Sequence, residues 1–142
     1  MSTARNGLEF LKQMVKFRTE AKTFENVLQG IRVVSGGEGK CICEMKIKEE
    51  HQNAGGTLHG DVTATLVDAV STWALMTSQR QVPGVSVDLN VSFMKPVKVG
   101  EDIVIDADTL KIGKTLAFCS VDIKLKNDGS LLAQGKHTKY VG

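Results

Sequence analysis

The sequence predicts an α+β fold in which one long helix is wrapped by an antiparallel sheet of five or six strands, with a further helix near the N-terminus. Apolar residues recur at helical spacing over residues 62–76 and cover so much of the helix circumference that another layer must enclose it. Three later segments alternate apolar and polar residues, a pattern typical of half-buried strands, and a fourth strand follows them. Short turns join most of these segments, which favours antiparallel pairing.

Size and composition indicate one globular domain, residues 1–142. The chain is 42% hydrophobic and 24% charged, which is too apolar for a disordered protein. Three cysteines without paired spacing and no leading apolar segment argue against secretion, so we expect a cytoplasmic protein, with the mitochondrion as the alternative. The net charge of +2 does not favour nucleic-acid binding, and no run of about 20 apolar residues predicts a membrane span.

The N-terminal third predicts a helix followed by a hairpin. Apolar residues with a period near 3.6 indicate an amphipathic helix over residues 8–17, interpreted as a cap on the core. A targeting peptide is the alternative, and nearby glutamates count against it. A helical turn is predicted over residues 24–28, and strands over residues 31–35 and 40–47 flank a glycine-rich turn.

The remaining elements are the long helix and four strands. The helix is predicted to start near His59 and to run to Gln79, about 30 Å. The predicted strands cover residues 85–93, 103–107, 117–125 and 131–140. In the first of these strands the apolar residues alternate strictly with polar ones, so we expect Ser86 on the polar face.

Two motifs do not predict the chemistry with which they are usually associated. The Gly-Lys-Thr at residues 113–115 is not a P-loop, because Asp108 occupies the position of the required first glycine and a strand follows. Ser86 lacks the second glycine of a nucleophile elbow and lies in a predicted strand, which disfavours a serine-hydrolase triad.

Cysteine and histidine residues elsewhere have structural interpretations. Cys41 and Cys43 share one strand face, as small buried residues do, and a metal site there is the less favoured alternative. His137 lies beside Lys136 and Lys139, and we expect it on a solvated face. No metal site is predicted.

Residues 51–68 carry the groups that acyl chemistry needs. Gly60 would offer a free backbone N–H at the start of the long helix, aligned with the helix dipole and able to bind an oxyanion. Asp68 lies within an otherwise apolar helix, where a carboxylate is exposed, hydrogen-bonded or functional.

These motifs resemble the hotdog-fold acyl-CoA thioesterases. The likeness lies in residues 53–61, 63–68 and 83–88 and extends through residues 111–118 and 135–139. The resemblance implies a helix wrapped by an antiparallel sheet, dimers joined edge to edge and often paired again into tetramers. It also implies hydrolysis of fatty acyl-CoA to a fatty acid and coenzyme A.

The resemblance assigns a catalytic role to five residues. It implies that Asn53 and Gly60 polarise the thioester carbonyl, that Asp68 activates water with help from Ser86, and that His59 lies near the sulfur. Gly60 and Asp68 are eight residues apart on one helix, about 12 Å, which is too far for both to serve one thioester. We therefore expect Asp68 and Ser86 to come from a neighbouring subunit.

The resemblance also implies where coenzyme A binds, and four lysines in that set are candidate phosphate partners. The implied substrate-binding residues are Asp88, Phe93, Met94, Lys95, Pro96, Val97, Lys98, Lys111, Ile112, Gly113, Lys114, Thr115, Leu116 and Tyr140. No cofactor is expected, since coenzyme A is part of the substrate.

Asp61 departs from the family pattern, which usually has glycine at this position. A carboxylate beside Gly60 suits a helix N-terminus but opposes charge that develops on a bound carbonyl oxygen. A non-catalytic acyl-CoA-binding module is therefore one alternative function. A hotdog dehydratase is another, although the presence of Asn53 and Ser86 argues against it.

Overall fold

Two α-helices and six strands make up residues 7–142, the part of the chain described by this computed structural model. The helices are α1 (Leu8–Glu20) and α2 (Gly60–Met76), and the strands are β1 (Arg32–Gly37), β2 (Lys40–Lys46), β3 (Val85–Phe93), β4 (Asp102–Ile112), β5 (Leu116–Leu125) and β6 (Leu131–Tyr140). Short 3₁₀ helices lie at Phe24–Leu28 and Glu49–His51.

The six strands form one sheet in the order β1-β2-β4-β5-β6-β3, and every neighbouring pair is antiparallel. The predicted hairpins are therefore confirmed, and β1 and β3 are the two edge strands. The sheet wraps around α2, most of whose apolar side chains are buried, fully so at Leu66, Val70 and Trp73. The predicted α+β architecture is confirmed.

The helix α2 ends at Met76, three residues before the predicted end. Thr77 ends it, because its hydroxyl donates to the carbonyl of Ala74 at 2.8 Å and accepts from the N–H of Gly39 at 2.9 Å. The hydroxyl thus gives a second donor to a carbonyl at the helix end that also accepts from the Thr77 N–H at 3.1 Å. It also ties α2 to the turn between β1 and β2.

The N-terminal helix α1 runs to Glu20, three residues beyond its predicted end. Leu11 and Val15 are buried on one face, and Leu11 packs against Gly36 near the end of β1. The amphipathic helix therefore covers part of the core, as the cap interpretation requires. None of the helices within residues 7–142 has the length and apolar character needed to cross a bilayer.

A β-bulge in β3 changes the side that its residues face. Ser86 pairs with Lys139 and Asp88 pairs with Thr138, so Val87 is an extra residue in β3. Directly opposed residues of antiparallel strands share a face, and Lys139 is buried beneath α2. Ser86 therefore faces the helix, and the strict alternation predicted for this strand is wrong here.

The predicted half-buried character of β3 is also wrong within one chain. This strand is exposed at every position except Val91, which is half-buried. The apolar side chains of Val85, Val87, Leu89 and Phe93 are all exposed. The reason is topological: β3 is an edge strand, and little of this chain packs against it.

Close packing of α2 on β6 makes Gly135 sensitive to substitution. A Cβ at Gly135 would lie 2.5 Å from Val67 Cγ1, so we expect Gly135→Ala to lower the free energy of unfolding by about 1–3 kcal/mol. Denaturant unfolding measures the change. In a Val67→Ala background the same substitution should cost much less, and an equal cost in both backgrounds would contradict this packing argument.

Candidate active site

The first turn of α2 presents a free backbone donor. Gly60 begins the helix, and its N–H has no acceptor within residues 7–142. His59 caps the helix, because its Nδ1 accepts from the Asp61 N–H at 2.9 Å and its carbonyl accepts from the N–H groups of Val62 and Thr63. The Gly60 N–H is therefore held at the positive end of the helix dipole, where it can bind a negatively polarised oxygen.

The carboxylate of Asp61 points into solvent. Its side chain is 92% exposed, and Oδ2 lies 3.8 Å from His59 Nδ1. Asp61 therefore interacts with the helix end without filling the space in front of Gly60.

The side chain of Asn53 is fixed by its own loop. Its Oδ1 accepts from the N–H groups of Gly55 at 2.9 Å and Thr57 at 3.1 Å, while its Nδ2 donates to Thr57 Oγ1 at 2.9 Å. The Leu58 N–H donates to the carbonyl of Val97 at 2.7 Å, which holds the end of the loop. An amide nitrogen carries two hydrogens, so one Nδ2 hydrogen of Asn53 remains for a ligand.

A buried histidine anchors the start of this loop. His51 Nδ1 accepts from the Lys48 N–H at 3.0 Å, and Nε2 lies 2.9 Å from the carbonyl of Val27, to which it donates. The His51 carbonyl accepts from the His59 N–H at 2.8 Å. His51 thus has a structural role that brings Asn53 and the start of α2 together.

A cavity of about 320 Å³ opens in front of Gly60. Thr57 and Thr63 line it together with five of the predicted substrate-binding residues, Phe93, Met94, Lys95, Pro96 and Val97. Lys98 is not part of the lining, and its N–H donates to the Glu101 carboxylate at 2.8 Å. Gly60 and the segment after β3 thus face one cleft.

A second cluster of polar side chains surrounds His137. Ser86 Oγ lies 2.7 Å from His137 Nε2, and Ser71 Oγ lies 2.8 Å from His137 Nδ1. Asp68 Oδ1 is 3.9 Å from the same Nε2, and the Asp68 side chain is 52% exposed. The cluster therefore joins α2, β3 and β6 and leaves one carboxylate open to an incoming molecule.

The solvated position predicted for His137 is wrong, since its exposed fraction is 1% and that of Lys139 is 4%. Burial, and then the positive charge of Lys139, lowers the pKa of His137, so the imidazole is neutral at pH 7. The burial of His137 could have been predicted from the period of two along β6, where Ala133, Gly135, His137 and Lys139 are all buried. The exposed lysine next to His137 obscured that pattern.

Within one chain the two groups of catalytic candidates do not meet. Gly60 and Asp68 both lie on α2, and their separation along the helix is about 12 Å. Asp88 lies on the opposite face of β3 from Ser86, because its cross-strand partner Thr138 is adjacent in sequence to the partner of Ser86. One chain therefore presents two partial sites.

The other predicted binding residues lie outside the cavity in front of Gly60. Tyr140 pairs with Val85 on one side and with Leu116 on the other. Lys111 and Ile112 line a separate cavity of about 510 Å³ near the C-terminal end of α2. The turn between β4 and β5 is closed by a hydrogen bond from the Gly113 N–H to the Leu116 carbonyl at 2.7 Å, and Lys114 and Thr115 are exposed in this turn.

Residues 55–132 match the family described as the thioesterase superfamily, and the chain belongs to that family. Acyl-coenzyme A thioesterase 13 of Homo sapiens is 58% identical over 132 residues, which cover 93% of this chain and 94% of that protein. The protein of the same name from Mus musculus is 53% identical with the same coverage.

Solved structures of similar chains have the same architecture. The crystal structure of zebrafish thioesterase superfamily member 2 has a TM-score of 0.94 and 51% identity, covering 96% of this chain and 99% of that chain. The Mus musculus structure of thioesterase superfamily member 2 has a TM-score of 0.88 and 50% identity over the full length of both chains. The hotdog fold implied by the sequence resemblance is confirmed.

Proposed function

We propose that this chain is an acyl-CoA thioesterase that hydrolyses fatty acyl-CoA to a fatty acid and coenzyme A. The observation that carries the proposal is the 58% identity over 93% of the chain to acyl-coenzyme A thioesterase 13. The geometry supports it, since the chain offers oxyanion donors at a cleft and a carboxylate beside a serine and a histidine. Thioester hydrolysis needs both kinds of group.

The start of α2 supplies the groups that polarise the thioester. The free N–H of Gly60 and the remaining Nδ2 hydrogen of Asn53 donate to the carbonyl oxygen and stabilise the negative charge that forms on it. His59 Nδ1 accepts a hydrogen bond, so the neutral ring carries its proton on Nε2 and can donate it toward the departing sulfur.

The cluster around His137 supplies the groups that activate water. Ser71 donates its single hydroxyl hydrogen to the Asp68 carbonyl at 3.1 Å, so His137 donates from Nδ1 to Ser71 and accepts at Nε2 from Ser86. Ser86 Oγ then accepts a hydrogen bond from the water. Asp68 takes the other proton of the water as its oxygen bonds to the carbonyl carbon, and when the tetrahedral intermediate collapses the C–S bond breaks and sulfur leaves with the bonding electron pair.

A complete site needs both groups, and we propose that two chains form it by joining along β3. This edge strand has one unpaired side and exposed apolar residues, among them Val85, Val87 and Leu89. Pairing would cover them and bring Asp68 and Ser86 of one chain toward Gly60 and Asn53 of the other. The dimer would then be the catalytic unit.

Exposed lysines near the two cavities are the proposed partners of the coenzyme A phosphates, because each can supply a charge-assisted hydrogen bond. They are Lys95, Lys98, Lys111 and Lys114. Leu110 and Phe118 are exposed apolar residues outside β3, and we propose them as contacts between two dimers in a tetramer. All three cysteines are free thiols, which fits action in the reducing cytoplasm, with the mitochondrion as the alternative.

Release of coenzyme A from palmitoyl-CoA, followed with a thiol-reactive dye, tests the proposed activity. A blank with protein and no substrate corrects for the three cysteines of the chain. Binding of palmitoyl-CoA without turnover would instead support the acyl-CoA-binding module, the alternative that Asp61 favours. Hydration of an enoyl-CoA without thiol release would identify a dehydratase.

The role of Asp68 predicts a selective loss of rate. Asp68→Asn should lower kcat by more than about tenfold, because a neutral amide cannot accept a proton from water. Acyl-CoA binding and the melting temperature should change little, since the side chain is half exposed. Steady-state kinetics with the thiol assay measures kcat, and near-normal turnover would show that another group is the base.

The shared site predicts complementation between two inactive variants. After subunit exchange between Asp68→Asn and Asn53→Ala, each mixed dimer holds one intact site, so we expect roughly a quarter of the wild-type activity. Each variant incubated alone is the control. The shared-site proposal is wrong if mixed dimers form, as mass spectrometry of isotope-labelled chains can establish, and activity does not return.

Replacing Asp61 should affect rate and stability in opposite directions. Asp61→Gly should raise kcat with little change in KM, because a negative charge near the oxyanion is removed. It should also lower the melting temperature, through loss of up to about 1 kcal/mol of helix-dipole stabilisation and a more flexible backbone. Asp61→Asn is the matched control that removes only the charge. A kcat that is unchanged or lower in both variants would contradict this interpretation.

A further inference from the structure

Lys139 is a buried cation that the proposed mechanism does not use. It lies on β6 with 4% of its surface exposed, and its Nζ donates to Thr72 Oγ1 at 2.6 Å. Thr72 Oγ1 in turn donates to the carbonyl of Asp68 at 2.8 Å. No ion pair of Lys139 occurs in the described part of the chain, although burial of a charged group without an opposite charge is costly. A buried ammonium at this position therefore calls for an explanation.

The position of Lys139 relates it to the groups that activate water. In the ladder between β3 and β6 it lies directly opposite Ser86, and it is two residues from His137 on the same buried face. Through Thr72 it is joined to the helical turn that begins at Asp68. Its charge thus lies beneath the cluster while its ammonium makes no contact with the reacting groups.

We propose that Lys139 is a positioning residue whose buried ammonium, on the same face of β6 as His137, keeps the imidazole neutral, so that its Nε2 can accept the hydrogen bond from Ser86. The inference rests on the proposed thioesterase function. A positive charge disfavours a nearby imidazolium, and water screens this effect little because both side chains are buried. Lys139 thus acts on His137 in the direction that the proposed mechanism requires.

Other charged groups near Lys139 do not cancel the effect of its charge. The titratable and charged groups near Lys139 or His137 are Asp68 of α2, Cys119 of β5, Arg18 of α1, Glu25 of the first 3₁₀ helix and, on the other face of β3, Asp88. Arg18 and Glu25 form an ion pair at 3.9 Å, so their effects largely offset each other. Burial lowers the pKa of Lys139, whereas the charge of Asp68 opposes that change and links the two groups.

The pH dependence of kcat/KM tests the proposal. In Lys139→Met, the acidic limb should move to higher pH by roughly one unit, because His137 loses a neighbouring like charge and its pKa rises. Lys139→Arg keeps the charge and should leave the acidic limb near its wild-type position. Lys136→Met is the matched control, since it removes an exposed lysine of the same strand. An unchanged acidic limb in Lys139→Met would overturn the proposal.

A titration of His137 separates this inference from the thioesterase proposal. The sequence has three histidines, so the ring signals can be assigned by NMR with single substitutions. The pKa of His137 should rise in Lys139→Met and stay unchanged in Lys136→Met, whether or not the protein hydrolyses thioesters. If Lys139→Met does not fold, Lys139→Gln, which removes the charge but keeps a group that can hydrogen-bond Thr72 Oγ1, should shift the same titration in the same direction. An unshifted titration in the folded variant overturns the proposed role of Lys139, whereas a shifted titration without thioester hydrolysis overturns only the thioesterase.

Discussion

Enclosure of α2 by the sheet is the constraint on which the rest of the structure depends. A helix buried on most of its circumference gains stability from apolar contacts, but each polar side chain on it must find a partner inside the protein. Ser71 and Thr72 meet this requirement because both hydroxyls donate to the carbonyl of Asp68. The Ser71 hydroxyl also bonds to His137 of β6, and the Thr72 hydroxyl accepts from Lys139 of β6. The polar cluster is thus part of the way in which the helix is packed.

The sheet no longer encloses α2 at its first turn, where the available polar group is a backbone N–H and not a side chain. The loop before Gly60 is held by His51 and Asn53, whose side chains bond mainly to backbone atoms. Because the loop is fixed in this way, the Gly60 N–H finds no acceptor among residues 7–142, lies beside a cleft and is not drawn into a further turn of helix. A packed helix therefore exposes one donor at its end and a polar cluster two turns further on.

Most of the architecture could be predicted from periodicity, because the apolar pattern of α2 and the alternation along β4 and β5 agree with how these elements pack. The bulge at Val87 could not be predicted, since one extra residue in a strand leaves no trace in an alternating pattern, and it decides that Ser86 faces the helix. The burial of His137 could have been predicted from the sequence, because it lies four residues after Ala133 and so shares the core-facing side of β6. The roles of Asn53, Gly60 and Asp68 came from the family resemblance, and their test is experimental.

The edge strand β3 has a consequence for the chain on its own. An exposed nine-residue edge with apolar side chains is a template for unintended strand addition, and natural proteins usually protect such edges with charges, prolines or short strands. Here Asp88 and the bulge at Val87 offer partial protection. If the proposed pairing covers this edge, the contact that completes the active site also keeps newly made chains from aggregating, so selection on solubility and selection on catalysis act on the same nine residues.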